Sequence, residues 1–299
     1  MQLSDNIRGA MLMTGSMTAF TVNDAFMKGV LIDVPLFQAL FLRSIGVVFC
    51  LVILCKALGQ LKFDLGRRDW TLMVLRALSE AIGALCFLSA LSKMPIANVA
   101  SILQALPLTV SLCGALFLGE ALGWRRLTAI FAGFCGVLLI VQPGGANFNA
   151  ASLYAVAAVV VVTFRDLVVR RMSPETPSLM IALTAAVIVM LMAGVGSAGI
   201  TWAEMPPLIW TQLGFATLFV IGGYVFSVAT MRVGEISFIA PFRYTSLIVA
   251  LVLGYVFFGE LPGALALCGA AIVVAMGLFT LYREARLKAR NQMIAGRLR

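Results

Sequence analysis

Residues 205–231 read MPPLIWTQLGFATLFVIGGYVFSVATM, a run without one charged side chain. A helix needs ~20 predominantly apolar residues to cross the ~30 Å hydrocarbon core of a bilayer, and this run supplies them. Charge-free apolar runs recur from Met94 to Gly119, from Tyr244 to Gly259 and from Leu261 to Tyr282. In lipid every backbone N–H and C=O must be satisfied within the protein, which leaves helices or closed barrels. The alternation of a barrel strand is missing, so these runs are helices.

The rest of the chain has the same character. Its 299 residues are 62% hydrophobic and 12% charged, with a mean hydropathy of +1.03. Soluble domains are about 45–50% apolar and about 25% charged. Breakers and hydropathy together predict ten helices, at 7–30, 35–57, 70–92, 95–118, 124–142, 151–171, 177–199, 207–231, 236–258 and 262–283. Pro35, Pro95, Pro177, Pro207 and Pro262 fall at or near helix starts, where a missing N–H is harmless. The expected fold is therefore an all-α integral membrane protein of ten transmembrane helices. The polar Met1–Arg8 segment precedes no small-residue cleavage site, so the first helix reads as a retained span.

The basic residues orient the bundle. With both termini in the cytoplasm, the inner side receives Arg8, then Lys56, Lys62, Arg67 and Arg68, then Arg125, Arg126, Arg170, Arg171 and Arg232. It also receives the C-terminal cluster from Arg283 to Arg299, whereas the outer side receives only Lys28 and Lys93. Lys and Arg concentrate in cytoplasmic loops, so this split predicts N-in and C-in. The net charge of +9 is thereby a topology signal, and no nucleic-acid partner is expected. The basic tail is a topology anchor suited to contact with anionic membrane lipid.

The chain also repeats itself at an offset of about 140 residues. Gly119-Glu120 recurs as Gly259-Glu260, Gly114 as Gly254 and Pro35 as Pro177. The stretch Thr21-Val22-Asn23-Asp24 through Lys28 matches Thr163-Phe164-Arg165-Asp166 through Arg170. A five-helix unit has an odd number of crossings, so its copy starts on the opposite face. Two inverted five-helix repeats place a solute near the midplane between the halves and alternate access by rocking.

The run Arg76-Ala77-Leu78 through Ala90-Leu91, with Pro107-Leu108, Gly119-Glu120 and the stretch from Gly133 to Gly144, resembles the EamA domain of the drug/metabolite transporter superfamily. The second half resembles another copy that keeps Gly259-Glu260 but has Leu247 where the first half has Pro107. The division expected is 1–144 for the first repeat, 145–284 for the second and 285–299 for the basic tail. The resemblance implies a ten-helix secondary carrier of a small organic metabolite. Members of that superfamily handle amino acids, nucleobases, vitamins such as riboflavin, and drugs.

Charges within a bilayer cost at least ~2.5–3.5 kcal/mol each, so they face a cavity or a partner. The candidates for substrate binding or gating are Asp24, Arg43, Arg76, Glu80, Gln104, Arg165, Asp166, Arg243 and Tyr244. By depth, Asp24 and Arg43 belong to an outer layer with Gln104, and Arg76, Arg165, Asp166 and Arg243 to an inner one. Glu80 lies nearer the middle, where a buried carboxyl is suited to take up a proton as access alternates. In a purely structural alternative, Asp24 pairs with Arg43, and Asp166 with Arg76 or Arg243. Gln104 lies one turn before Pro107, whose ring frees a backbone carbonyl, and Tyr244 is its counterpart in the repeat. Asn23, Asn98 and Thr245 add uncharged donors and acceptors. Trp70, Trp124, Trp202 and Trp210 fall near helix ends and read as interfacial belt residues.

No catalytic residue, metal site or cofactor is expected. The chain has no histidine, and its six cysteines lie in apolar segments without a CxxC pair. The absence of a GxxxxGK[ST] motif removes direct coupling to ATP. Enzyme and channel readings rank below the carrier. For the solute, a vitamin or cofactor-like heterocycle such as riboflavin leads, with S-adenosylmethionine or an amino acid as the alternative. The protein is expected in a bacterial-type inner membrane; direction, coupling ion and oligomeric state are not written in the chain.

Overall fold

The computed structural model describes residues 2–61, 64–119, 123–144, 149–173, 175–230, 233 and 236–297, and these are helical with short connections. In chain order the helices are α1 (Gln2–Asp33), α2 (Leu36–Ala57), α3 (Arg67–Leu91), α4 (Ile96–Leu103) and α5 (Leu106–Leu118). They continue as α6 (Trp124–Val141), α7 (Ala151–Val169), α8 (Ser178–Ser197), α9 (Pro207–Thr230) and α10 (Ile236–Ile239). A 3₁₀ turn, Ala240–Tyr244, joins α10 to α11 (Thr245–Phe258), and α12 (Ala264–Arg297) ends the bundle. Nine spans among the described residues are long and apolar enough to cross a membrane, with α4–α5 and the 3₁₀ turn with α11 each counting as one. α1 makes the tenth crossing. It has 32 residues, but Ser16, Thr21, Asn23, Asp24 and Lys28 dilute its hydropathy. The chain thus starts and ends on one side of the bundle, called here the terminal face; the other is the distal face.

Three differences from the expected helices have local causes. α1 begins at Gln2 rather than residue 7, and α12 runs on to Arg297, so the segment read as a basic tail is helical as far as Arg297; Arg299 lies outside the described residues. The third is that the fourth and ninth spans are broken. At Gln104-Ala105 the N–H of Gln104 is shared between the carbonyls of Ala100 (3.1 Å) and Ser101 (3.2 Å), and that of Ala105 reaches Ile102 (3.1 Å). The helix tightens to 3₁₀ spacing there because Pro107 can donate nothing to the carbonyl of Leu103. In the ninth span Leu247 occupies the position matching Pro107, yet the break still forms. Pro241, inside the 3₁₀ turn, is the residue that makes it.

α1 packs on α9 and α3 on α7, while α2 packs on α8 and α6 on α12. This pattern is unchanged when the first five spans are exchanged with the last five. α5 and α11 also end alike, on Gly119 at φ 68° and Gly259 at φ 62°. Only glycine enters this left-handed region without penalty, and it closes a helix there. Glu120, the partner of Gly119 in the sequence repeat, lies outside the described residues, as do Lys62 and Arg232.

Burial is distributed as lipid demands. Large apolar side chains stand exposed around the perimeter, among them Phe49, Leu116, Phe131, Val195 and Val256. The interior instead buries Ser16, Asn23, Lys28, Gln38, Ser44, Gln104 and Arg126. Trp124, Trp202 and Trp210 are exposed beside helix ends, where an amphipathic ring meets the headgroup layer.

Candidate functional site

The breaks in the fourth and ninth spans meet at the centre of the bundle. Gln104, which caps α4, donates from Nε2 to the Ser246 hydroxyl at 2.7 Å, and Ser246 donates to the carbonyl of Arg243 at 3.0 Å. A cavity of about 350 Å³ opens beside this junction. Asp24 and Thr21 of α1 line it, together with Gln104 and Pro107 of the fourth span. Arg243, Tyr244 and Ser246 of the ninth span contribute, as do Asp166 and Arg170 from the end of α7. Five of the nine residues picked from the sequence therefore share one cavity: Asp24, Gln104, Asp166, Arg243 and Tyr244. Asn98 is not part of its wall, and sequence reading passed over Ser246 and Thr21. Both are small hydroxyl residues of a kind common in membrane helices; Thr21 opens a stretch matched in the repeat, but nothing in the sequence singles out Ser246.

Of the other four candidates, Arg76, Glu80 and Arg165 join Asp166 in an ion-pair network, and Arg43 stands outside it, bonded to Asn23. Arg165 donates to Glu80 of α3 at 2.8 Å and to its own neighbour Asp166 at 2.8 Å. Arg76 reaches Glu80 from one turn earlier on α3, at 3.6 Å. Asp166 thus pairs with Arg165, and not with Arg76 or Arg243, the partners that the structural alternative named. Asp24 and Arg43 are likewise linked indirectly: Asn23 donates to Asp24 at 2.9 Å and accepts from Arg43 at 3.1 Å. Among the described residues Asp24 has no salt bridge.

The expected outer and inner layers merge here. Glu80 lies in the field of Arg165, Arg76 and, more weakly, Arg43, and Tyr224 of α9 faces the same groups. Glu80 is thus clamped between guanidinium groups, a pairing that satisfies itself. Asp24 is the carboxylate that faces the cavity without a cation of its own.

Tyr244 is held by shape. Its ring is buried at 7% exposure, and its hydroxyl lies over Gly277 of α12, in the space where a Cβ would stand. That hydroxyl has no hydrogen-bond partner within the described protein. If it serves the solute alone, Tyr244→Phe should leave thermal stability within about 0.5 kcal/mol of the parent. Solute affinity should fall by roughly five- to tenfold, the worth of one ordinary hydrogen bond. A fall in stability without a change in KM would assign the hydroxyl to the fold instead.

Residues 7–142 match the EamA-like transporter family. An S-adenosylmethionine uptake transporter of Rickettsia bellii is 25% identical over 223 residues, covering 73% of this chain and 75% of its own. A riboflavin transporter of Vibrio cholerae is 28% identical over 265 residues, covering 86% of each. A solved crystal structure aligns with 93% of this chain and 97% of its own at a TM-score of 0.63 and 18% identity, which shows a shared fold. The likenesses to the Vibrio relative and to the solved structure extend through both halves, and the family match includes the cavity wall from Thr21 to Pro107. Through residues 7–142 this multi-pass membrane protein is similar to the EamA-like transporter family.

Proposed function

We propose that the chain is a secondary carrier which moves a small organic metabolite across a bacterial inner membrane by alternating access, with the terminal face in the cytoplasm. The reading rests on one observation: the two broken spans cross at a roomy cavity that contains both acidic and basic side chains. Broken helices at the midplane expose backbone groups and half-helix ends to a solute. The unchanged packing pattern on exchange of the halves supports two inverted repeats, 1–144 and 145–284, followed by the basic segment 285–299. Rocking of one repeat against the other would open the cavity to each side in turn. The excess of Lys and Arg on the terminal face supports that orientation.

Within the class, the leading solute is a vitamin or cofactor-like heterocycle such as riboflavin, which suits a cavity flanked by Phe20, Phe87 and Tyr244. A second reading is favoured by charge. Asp24, Asp166, Arg170 and Arg243 share the wall, and a solute bearing both a cation and a carboxylate, such as S-adenosylmethionine or an amino acid, would engage both signs. Purified protein in liposomes loaded with each solute distinguishes these. A carrier gives saturable uptake that an internal pool of the same solute accelerates by counterflow, and Arg243→Ala should raise KM for a carboxylate-bearing solute alone. Non-saturating flux would point to a channel. Chemical conversion of the solute would point to a membrane-embedded enzyme.

A further inference from the structure

Lys28 projects from α1 toward the distal face, yet it is only 7% exposed. All three of its protons are used. Nζ donates to Glu260 Oε1 at 2.6 Å, to Oε2 at 2.8 Å and to the carbonyl of Met94 at 2.6 Å. The Phe258 ring lies 5.2 Å away. Glu260 in turn accepts the N–H of Ile96 at 3.2 Å, the first residue of α4 and part of the cavity wall. Glu260 follows left-handed Gly259, and its own N–H returns to the Gly254 carbonyl at 2.9 Å. A single contact therefore ties α1, the start of the fourth span and the α11–α12 connection together at the distal side of the cavity.

Stability alone gives no reason for such a pair. Replacing a buried ion pair by apolar groups of similar volume is often neutral or stabilising, because both charges must be stripped of water. What an ion pair offers is reversibility, because each partner regains water once the contact opens. Lys28 also has a second anion within reach. Asp24 is four residues earlier on α1, where an acid and a following base face one another; it lines the cavity and has no salt bridge among the described residues.

We infer that Lys28 and Glu260 form the gate that closes the cavity at the distal face, and that on opening the Lys28 ammonium passes from Glu260 to Asp24. The gate rests on the carrier reading. It links solute to access, since a solute cation on Asp24 competes with the open position of Lys28 and favours its return to Glu260.

The test needs no identified solute, so a protein inactive on every solute tried still answers it. In a background with all six cysteines replaced, Ala100→Cys reports on the cavity and Ala193→Cys on the packed interface of α8 with α2. A membrane-impermeant maleimide is applied from the distal side. With Lys28 and Glu260 intact, position 100 should label slowly. Glu260→Gln, close in size to the parent, should speed labelling on the order of tenfold while position 193 stays protected. Adding Asp24→Asn to Glu260→Gln should slow it again, because Lys28 then has no second anion. Lys28→Met provides an independent opening variant should Glu260→Gln fail to fold. Unchanged labelling in both single variants, or equal gains at positions 100 and 193, overturns the gate. Labelling that ignores Asp24→Asn overturns the hand-over.

Discussion

Replacing Arg165 by leucine should cost the folded protein about 3 kcal/mol, more than any other change within its own network. The reason lies in what the side chain holds apart. Its guanidinium bonds Glu80 and Asp166 at 2.8 Å each, so its loss leaves two neighbouring carboxylates inside the membrane. Arg76 compensates poorly, at 3.6 Å from Glu80. Removing one partner of a buried pair is destabilising because the remaining charge keeps its desolvation cost without its counter-ion. Glu80→Gln should be milder, because Arg165 keeps Asp166 and the amide oxygen can still accept. Lysine at 165 should rescue little, since a point charge cannot reproduce a fork that serves two acceptors. Thermal unfolding in detergent checks the order: Arg165→Leu lowest, Arg165→Lys next, Glu80→Gln closest to the parent. If Arg165→Leu unfolds within about 0.5 kcal/mol of the parent, the network is not structural and Glu80 returns as a candidate for proton coupling.

The spans were legible because lipid imposes a one-dimensional rule. Any stretch near 20 residues without charge has few other fates, and Met205–Met231 needed no partner to be read. The candidate cavity was partly legible for the same reason: scarce polar residues in apolar helices must turn inward, as Asp24, Gln104, Asp166, Arg243 and Tyr244 do. Depth was less readable. Distance along each helix separates Asp24 and Gln104 from Asp166 and Arg243, yet all four line one cavity. The break in the ninth span is hidden in the sequence because its proline, Pro241, stands before the position that matches Pro107 and lies in a 3₁₀ turn. Lys28 and Glu260 were the hardest of all. Each lies at a helix end, where a charge is ordinary, and 232 positions separate them in sequence. No local pattern predicts that such a pair is buried together.

A close crossing of two helices gives the second large effect. α6 and α12 run antiparallel and cross where Gly136 and Gly269 face one another, each against the other's backbone oxygen. A Cβ on Gly136 would stand 2.8 Å from the Gly269 carbonyl oxygen, and one on Gly269 would stand 2.5 Å from that of Gly136. Neither oxygen can swing aside as a side chain can, so the helices themselves must part. Small residues at crossings in membranes gain van der Waals contact that lipid cannot otherwise supply. Gly269→Val should therefore cost about 2–3 kcal/mol, at the upper end of overpacking effects, and Gly136→Val a similar amount. Helix propensity argues the other way, since valine in a helix interior is better than glycine, so the sign of the result decides between local preference and packing. Gly222, in the interior of α9, calibrates the measurement: nothing lies within 4 Å of its would-be Cβ. Gly222→Ala should be neutral or should stabilise by roughly 0.5–1 kcal/mol. Because α6 and α12 join the last span of each half, loss of their contact should also abolish counterflow, even in protein that remains folded in detergent. A folded Gly269→Val protein with normal counterflow would mean that the two halves can rock without this crossing, and the pivot would have to be sought between α2 and α8.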